Sequence, residues 1–180
     1  GSTACDLLYG TASEPYVYDK ESDTNIALKF THRLSKVVLK FMDMEKNPLT
    51  VSDVKILGMP VSAAFNVQTG ALTTDDNSVA DITPYVNSAN NYREAIILPV
   101  ALSDAYKVSF VLDGRTREWV FADLDISLPK FNAGSQYTFG IYIDPTEDII
   151  IGRLEDVDAG NSSAPWEDGS NENGTADGNQ

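Results

Sequence analysis

The chain contains one histidine, His32, and one cysteine, Cys5, the side-chain types that most often serve as general base and nucleophile. A Cys–His pair also needs an orienting group and an oxyanion pocket, and the residues around His32 and Cys5 suggest neither. His32 lies between two apolar runs, where an imidazole ring can pack and form hydrogen bonds with backbone groups. We therefore expect a structural histidine, predict no catalytic residue, and predict that the protein is not an enzyme.

Other catalytic and metal-binding patterns point the same way. The sequence has no Gly-x-Ser-x-Gly elbow, Walker-type phosphate loop, His-Glu-x-x-His or Cys-x-x-Cys. Two acidic clusters, Asp75-Asp76-Asn77 and residues 156–161, carry the oxygen ligands that Ca²⁺ prefers. The second cluster lacks the alternation of an EF-hand loop and its bidentate glutamate. Because acidic loops are usually only solvated, we predict no metal and no cofactor.

Three tyrosines are the other candidates for a binding role. Tyr142 alternates away from the apolar face of its run and is expected to be exposed, and Tyr85 and Tyr92 lie in a polar stretch. Planar side chains in a concave site can stack on a sugar ring. Ordinary strand composition explains these tyrosines equally well, so both interpretations stay open.

The charge balance excludes several partners. The chain has 27 acidic and 13 basic residues and a net charge of −14. Phosphate backbones and anionic lipid surfaces would repel such a chain, so we predict no nucleic acid partner. No apolar run approaches the roughly 20 residues that cross a bilayer, so the chain is not expected to span a membrane. Its length and 42% hydrophobic content suit one soluble domain with its own core.

The candidate residues named above lie among short runs in which apolar and polar residues alternate, and the structure of these runs must position them. In residues 26–31 and 36–41 the apolar positions alternate. They are Ile26, Leu28, Phe30, Val37, Leu39 and Phe41. Residues 131–143 form a Gly-containing turn followed by a strand with Tyr137, Phe139, Ile141 and Ile143 on one side. Each run is therefore predicted to be a strand with one apolar face.

Further strands are predicted at residues 51–58, 63–67, 71–73 and 94–100, whereas residues 79–92 are predicted to be a loop with at most one short helical turn. A hairpin is predicted at Asp113-Gly114, since Asp-Gly favours a type I′ turn. Its register would pair Val108 with Trp119 and leave the heads of Arg115 and Arg117 in water. Short strands at this spacing predict an all-β, antiparallel β-sandwich of about seven strands.

Composition changes at residue 155. Residues 1–154 are predicted to form the sandwich domain, with 1–25 as a possible remnant of a preceding domain or linker, and residues 155–180 to form an acidic flexible tail. In that tail Trp166 is expected to dock on the domain. Cys5 follows Ser-Thr-Ala, as at the end of a lipoprotein cleavage site, but the preceding apolar stretch is missing. A structural cysteine is therefore the favoured interpretation.

Several segments carry a family resemblance. The most specific is Phe30-Thr-His-Arg-Leu-Ser-Lys-Val37, supported by Phe65-Asn-Val-Gln-Thr-Gly70, Ile97-Leu-Pro99 and Ala133-Gly-Ser-Gln-Tyr-Thr138. The resemblance extends from Asp6-Leu-Leu-Tyr9 to about Trp166. In order and spacing they resemble the fimbrillin-like (minor fimbrial antigen-like) family of Bacteroides-type bacteria, most closely the C-terminal portion of such a protein.

The resemblance implies a transthyretin-like, Greek-key β-sandwich exported as a lipoprotein to the outer membrane. It implies a structural subunit of surface fimbriae (pili) in cell adhesion, which assembles by strand exchange with neighbouring subunits, itself or homologous ones. Host or dietary glycans and host proteins would be further partners. The alternative function is a cell-surface β-sandwich module that binds glycans without polymerising.

Overall fold

The computed structural model describes residues 6–12, 28–124, 128–144, 146–155 and 164–165. Fourteen strands and a single-turn 3₁₀ helix at Phe121–Asp123 occur in these ranges. The strands are β1 (Leu8–Ala12), β2 (Leu28–His32), β3 (Ser35–Asp43), β4 (Ser52–Pro60), β5 (Ala63–Asn66), β6 (Ala71–Thr74), β7 (Val79–Ile82), β8 (Tyr85–Asn87), β9 (Tyr92–Ile97), β10 (Lys107–Leu112), β11 (Arg115–Val120), β12 (Ser135–Asp144), β13 (Ile149–Glu155) and β14 (Ala164–Pro165). The all-β class is confirmed, with more strands than the seven or so predicted. The domain boundary at residue 154 stays a prediction, and Cys5 and Trp166 lie outside the described residues.

Two main sheets form the sandwich. One has the order β13-β12-β3-β9-β8, with β14 pairing to the start of β12, and the other has the order β11-β10-β4-β7. Their ladders are antiparallel except between β3 and β12, the central pair of the larger sheet, which is parallel. Two short sheets, β1-β2 and β5-β6, complete the described structure.

The core lies between the two main sheets. Alternate residues of β3 and β12 face those of β4, β10 and β11, so the period-two pattern predicted for residues 36–41 and 131–143 is confirmed. Phe41 of one sheet packs on Phe110 of the other, with ring centroids 4.9 Å apart. Trp119 and Phe139 meet across the sheets at 5.8 Å. These aromatic contacts join the layers directly.

The hairpin at Asp113-Gly114 is confirmed. Both turn residues have positive φ, 52° and 74°, as a type I′ turn requires. The register pairs Val108 with Trp119, as predicted. The prediction for Arg117 was wrong: the residue is 7% exposed, and its Nη1 pairs with Asp148. Arg117 lies on the same inward face of β11 as Trp119. The aliphatic part of its side chain is therefore buried, and its guanidinium group lies at the edge of the core beside Asp148.

The prediction of a loop over residues 79–92 was also wrong. The segment contains β7, which pairs with β4 of the smaller sheet, and β8, which pairs with β9 of the larger one. Thr83 and Pro84 separate the two strands, so the chain changes sheets at this point. Both strands lie at sheet edges, where proline and short polar residues are tolerated. Such residues masked the strand pattern in the sequence.

The described part of the first apolar run, residues 28–31, does not enter the core. Leu28 and Phe30 are 55% and 59% exposed, against the expectation of one buried face per strand. Among the described residues β2 pairs only with β1, and the chain turns at Arg33 and Leu34 before β3 joins the larger sheet. We call the β1-β2 pair the amino-terminal ribbon.

Candidate functional site

His32 lies at one end of the amino-terminal ribbon. Its Nδ1 is 2.5 Å from Asp6 Oδ2, and the two side chains are 12% and 24% exposed. The pair connects the start of β1 to the end of β2, next to the Leu8–His32 position of their ladder. Cys5, the other candidate catalytic residue, is outside the described residues. The structural role of His32 stays a prediction.

Only the first of the two acidic clusters, Asp75-Asp76-Asn77, lies in the described residues. Asp75 Oδ1 accepts hydrogen bonds from the backbone N–H and the side-chain amide of Asn77, at 3.1 and 3.3 Å. These bonds close a turn of the chain between β6 and β7. Residues 156–161 lie outside the described ranges. Within the described ranges, no three His, Cys, Asp or Glu side chains cluster in a way that could hold a metal ion.

The three tyrosines share the outer face of the larger sheet, but their surroundings differ. Tyr85 is 70% exposed, whereas Tyr142 is only 8% exposed. The Tyr142 hydroxyl donates to Glu155 Oε1 at 2.7 Å. Burial, with the Glu155 carboxylate as a further cause, raises the pKa of Tyr142. The expectation of an exposed Tyr142 was therefore wrong.

A charged network covers this outer face. Lys40 Nζ is 2.9 Å from Glu155 Oε2 and 5.1 Å from the centroid of the Tyr92 ring. The guanidinium carbon of Arg153 is 5.2 Å from the centroid of the Tyr142 ring. Cations thus occupy a face of each of these two rings. A sugar would have to displace them to stack, so the three tyrosines do not form one ready platform.

Glu94 belongs to the same face and has two polar partners. Lys36 Nζ lies 3.1 Å from one carboxylate oxygen, and Asn87 Nδ2 donates to the other at 2.8 Å. Desolvation by burial acts to raise the pKa of Glu94, but the hydrogen bonds from Asn87 and Lys36 and the charge of Lys36 outweigh it. The pKa is therefore lowered from its ordinary 4.5.

Glu94→Gln should make the protein less sensitive to acid. A carboxylate with a lowered pKa stabilises the fold above its ordinary value and loses that contribution as pH falls through the lowered pKa. We expect the variant to lose about 0.5–1.5 kcal/mol at pH 7. The difference from wild type should shrink below pH 4.5. Urea unfolding at a series of pH values measures both effects.

Glu118→Gln is the matched control. Its partner Lys107 lies at the same 3.1 Å, but the two side chains are 38% and 47% exposed. Water screens such a pair, so the control should lose less than about 0.5 kcal/mol. Equal losses in the two variants, or a Glu94→Gln difference that does not change with pH, would contradict the prediction.

The amino-terminal ribbon presents an apolar face to solvent. The register places Leu8, Leu28 and Phe30 on one side, with 48%, 55% and 59% of their surface exposed. On the other side the Tyr9 ring packs edge-on against Phe65, and its hydroxyl donates to Gln68 O at 3.0 Å. Among the described residues, the packing of Tyr9 on Phe65 and its hydrogen bond to Gln68 attach this second face of the ribbon to the β5-β6 region. Large exposed apolar groups of this kind mark interaction surfaces.

Open strand edges are the second candidate surface. Within the described ranges, β8 and β13 end the larger sheet, and β7 and β11 end the smaller one. An outer strand presents backbone N–H and C=O groups without strand partners, which another chain can pair. The sequence identified neither these edges nor the exposed face of the ribbon, because alternation alone does not tell which sheet a strand joins. In the part of the chain described, no helix has the length and apolar character to cross a membrane.

Comparison with known proteins identifies relatives of this fold. The family model described as Fimbrillin-like matches residues 1–155. No curated protein sequence matches the chain. A Bacteroides uniformis crystal structure, of a protein suggested to act in cell adhesion, matches with a TM-score of 0.59 and 21% identity, covering 87% of this chain and 69% of that one.

A second structure of the same description comes from Bacteroides ovatus. It matches with a TM-score of 0.52 and 17% identity, covering 78% of this chain. The chain spans about half of that protein, 49% of its length. At these identities the two structures show a shared fold. The match to the family model extends to the end of β13 at Glu155.

Proposed function

Because the chain belongs to the fimbrillin-like family, we propose that it is a structural subunit of surface fimbriae that assembles by strand exchange with neighbouring subunits. The family supports a fimbrial or cell-adhesion role, a surface-exposed location and association with other fimbrial subunits. Strand exchange, attachment to the outer membrane and a lipoprotein precursor are part of the proposal. We also propose that the protein is not catalytic.

The amino-terminal ribbon is the observation that best supports exchange. Strand β1 has five residues, and its ladder is formed only with β2 among the described strands. Two-stranded sheets are marginally stable in water, so β1 can leave at lower cost than a central strand. Its departure would uncover the edge of β2, with Leu28 and Phe30 already more than half exposed. A neighbour's strand would then supply both ladder bonds and apolar contacts.

Cleavage between β1 and β2 tests this proposal. A specific protease sequence is inserted after residue 20 of the full chain, and the purified protein is compared before and after cleavage. We expect the cleaved protein to release the segment that contains β1 and to form fibres visible by negative-stain electron microscopy. The uncleaved sample, expected to stay monomeric in size-exclusion chromatography, is the control. Cleaved protein that remains monomeric would contradict assembly through this strand.

The alternative, a glycan-binding module that does not polymerise, has one favourable observation. Tyr85 exposes 70% of its surface at an outer strand. A glycan array with wild type and Tyr85→Ala measures it directly. Retained glycan binding in wild type, lost in the variant, together with failure to form fibres, would favour the module over the subunit.

A further inference from the structure

A groove opens where the chain changes sheets. It has a volume of about 300 Å³ and lies between the first half of β4 and strand β8. Its walls include Val51, Val54 and Val86, with Pro84 at the crossing between sheets. Lys55 and Asp53 are exposed at its rim, and Arg93 lines it from β9. The groove thus combines apolar walls with a small number of charged groups.

Arg93 is the unusual group in this groove. It is 7% exposed. Its Nη1 donates to the backbone and side-chain oxygens of Asn91 at 2.8 and 3.0 Å, and its Nη2 donates to Val51 O at 3.0 Å. A guanidinium carries more N–H donors than these bonds use. Among the described residues no carboxylate forms an ion pair with Arg93, so a buried positive charge faces the groove without a counter-charge.

One strand edge borders the same groove. Strand β7 pairs with β4 from Ile56 to Pro60 only. The preceding half, Ser52–Lys55, has β10 on one side and, among the described strands, none on the other. Asp53 has a φ of 49°, and the ladder with β10 shifts register there. A bulge of this kind bends the strand, so the open edge is short and suits only a few residues of a partner.

We propose that this groove binds a short extended peptide segment of another protein, with an acidic side chain of that segment paired to Arg93. The peptide would lie beside Ser52–Lys55 and use backbone groups left open there. The proposal is independent of fimbrial assembly, since a monomer with an intact amino-terminal ribbon already has the groove.

Each part of the groove fits this ligand. A guanidinium fork binds a carboxylate through two parallel hydrogen bonds, which are stronger than bonds between neutral groups. In a site with little water the bond gains further, because the competing hydration is removed. Val51, Val54 and Val86 can take the apolar side chains that flank the acidic one on the inward side of an extended peptide. An exposed strand edge favours a peptide over a small anion as the occupant.

The test uses two synthetic peptides and the full ¹⁵N-labelled chain. The first peptide is acetyl-Thr-Val-Glu-Val-Thr-amide, and the second has glutamine in place of glutamate. Binding is followed by NMR titration, including the Nε–H resonance of Arg93. We expect the glutamate peptide to bind at least about tenfold more tightly, since a hydrogen bond to a charged group exceeds a neutral one by this order. The Arg93 resonance should shift with the glutamate peptide only.

Two valine variants separate binding from folding. Val86 lines the groove, is 48% exposed and lies opposite Arg93 in the β8-β9 ladder, so Val86→Asp should fold while its carboxylate competes with the peptide for Arg93. Val79→Asp is the matched control, because Val79 is 56% exposed and does not line the groove. We expect at least about tenfold weaker binding in the first and a change within about twofold in the second.

Equal affinity for the two peptides, binding that Val86→Asp leaves unchanged, or no binding to wild type would overturn the proposal. Because these titrations use the uncleaved monomer, their outcome does not depend on the fibre experiment. Fibres without peptide binding would exclude peptide binding by the groove and leave the proposed subunit role intact. Peptide binding without fibres would exclude assembly through β1 and leave peptide binding by the groove intact.

Discussion

Phe139→Ala should lower the free energy of unfolding by about 3–5 kcal/mol, the range observed for buried phenylalanines. Phe139 is fully buried, and its ring centroid lies 5.8 Å from that of Trp119, 5.1 Å from that of Phe121 and 6.2 Å from that of Phe131. Truncation leaves a cavity among aromatic rings that cannot easily collapse. In a protein of this size the melting temperature should fall by about 6–20 °C.

Phe30→Ala is the matched control for this experiment. It makes the same chemical change on the exposed face of the amino-terminal ribbon, where 59% of the side chain is already in water. A surface substitution of this kind should change stability by less than about 0.5 kcal/mol. Similar losses for the two variants in chemical unfolding would show that the two sheets do not share the aromatic core described here.

Gly152→Ala adds one methyl group and should lower the free energy of unfolding strongly. A Cβ at Gly152, on the inward face of β13, would overlap the indole of Trp119 from the opposite sheet. The Trp119 ring is 3% exposed and packed against Phe121 and Phe139, so it cannot move aside without cost. Overpacking of this type costs about 1–3 kcal/mol, measured as a shift of the urea midpoint.

A double-mutant cycle identifies the cause. In a Trp119→Phe background the smaller ring leaves room for the new methyl group, so the Gly152→Ala penalty should fall to less than half. Gly140→Ala is the control on the outer face of the same sheet, where a Cβ would meet the Glu155 carboxylate and the edge of the Tyr142 ring instead of an indole in the core. Its penalty should be the same in the Trp119→Phe background as in the wild type. Additive effects of Gly152→Ala and Trp119→Phe would exclude direct overlap.

Local patterns in the sequence predicted the local structure well. The Asp113-Gly114 turn fixes the pairing of the strands on either side, and no distant contact is needed to place Val108 opposite Trp119. The alternation in residues 131–143 correctly identified the face of β12 that packs in the core, since the face of a strand that meets the other sheet must be apolar. These predictions concern neighbours along the chain.

Predictions that depended on distant partners failed. Leu28 and Phe30 have the same alternation as Val37 and Leu39, but β2 pairs with β1 and β3 joins the central sheet. Nothing in either run encodes this difference. The guanidinium head of Arg117 was placed in water because the residue lies near the turn, but it is 7% exposed and pairs with Asp148 from a distant part of the chain.

The candidate binding surfaces were even harder to predict from the sequence. Arg93 has an ordinary strand pattern around it. Its significance comes from the change of sheets at Pro84, which leaves half of β4 without a neighbour on one side among the described strands. Tyr142 alternates outward as predicted, but Lys40 of β3 and Arg153 and Glu155 of β13 converge around it. The absence of a catalytic motif could be read directly from the sequence. The surfaces could be identified only from the arrangement of the strands in the assembled sheets.

The parallel pairing of β3 with β12 has a consequence for the order of folding. Ser35 donates a hydrogen bond to Asn132 O across 97 positions of the chain, and the eight ladder positions that follow join equally remote segments. Contacts of this range make folding slow, because much of the chain must be ordered before they form. During synthesis the central ladder cannot be completed until about residue 144 has left the ribosome. Until then β3 lacks its neighbour on one side, and the layer that covers the smaller sheet is incomplete.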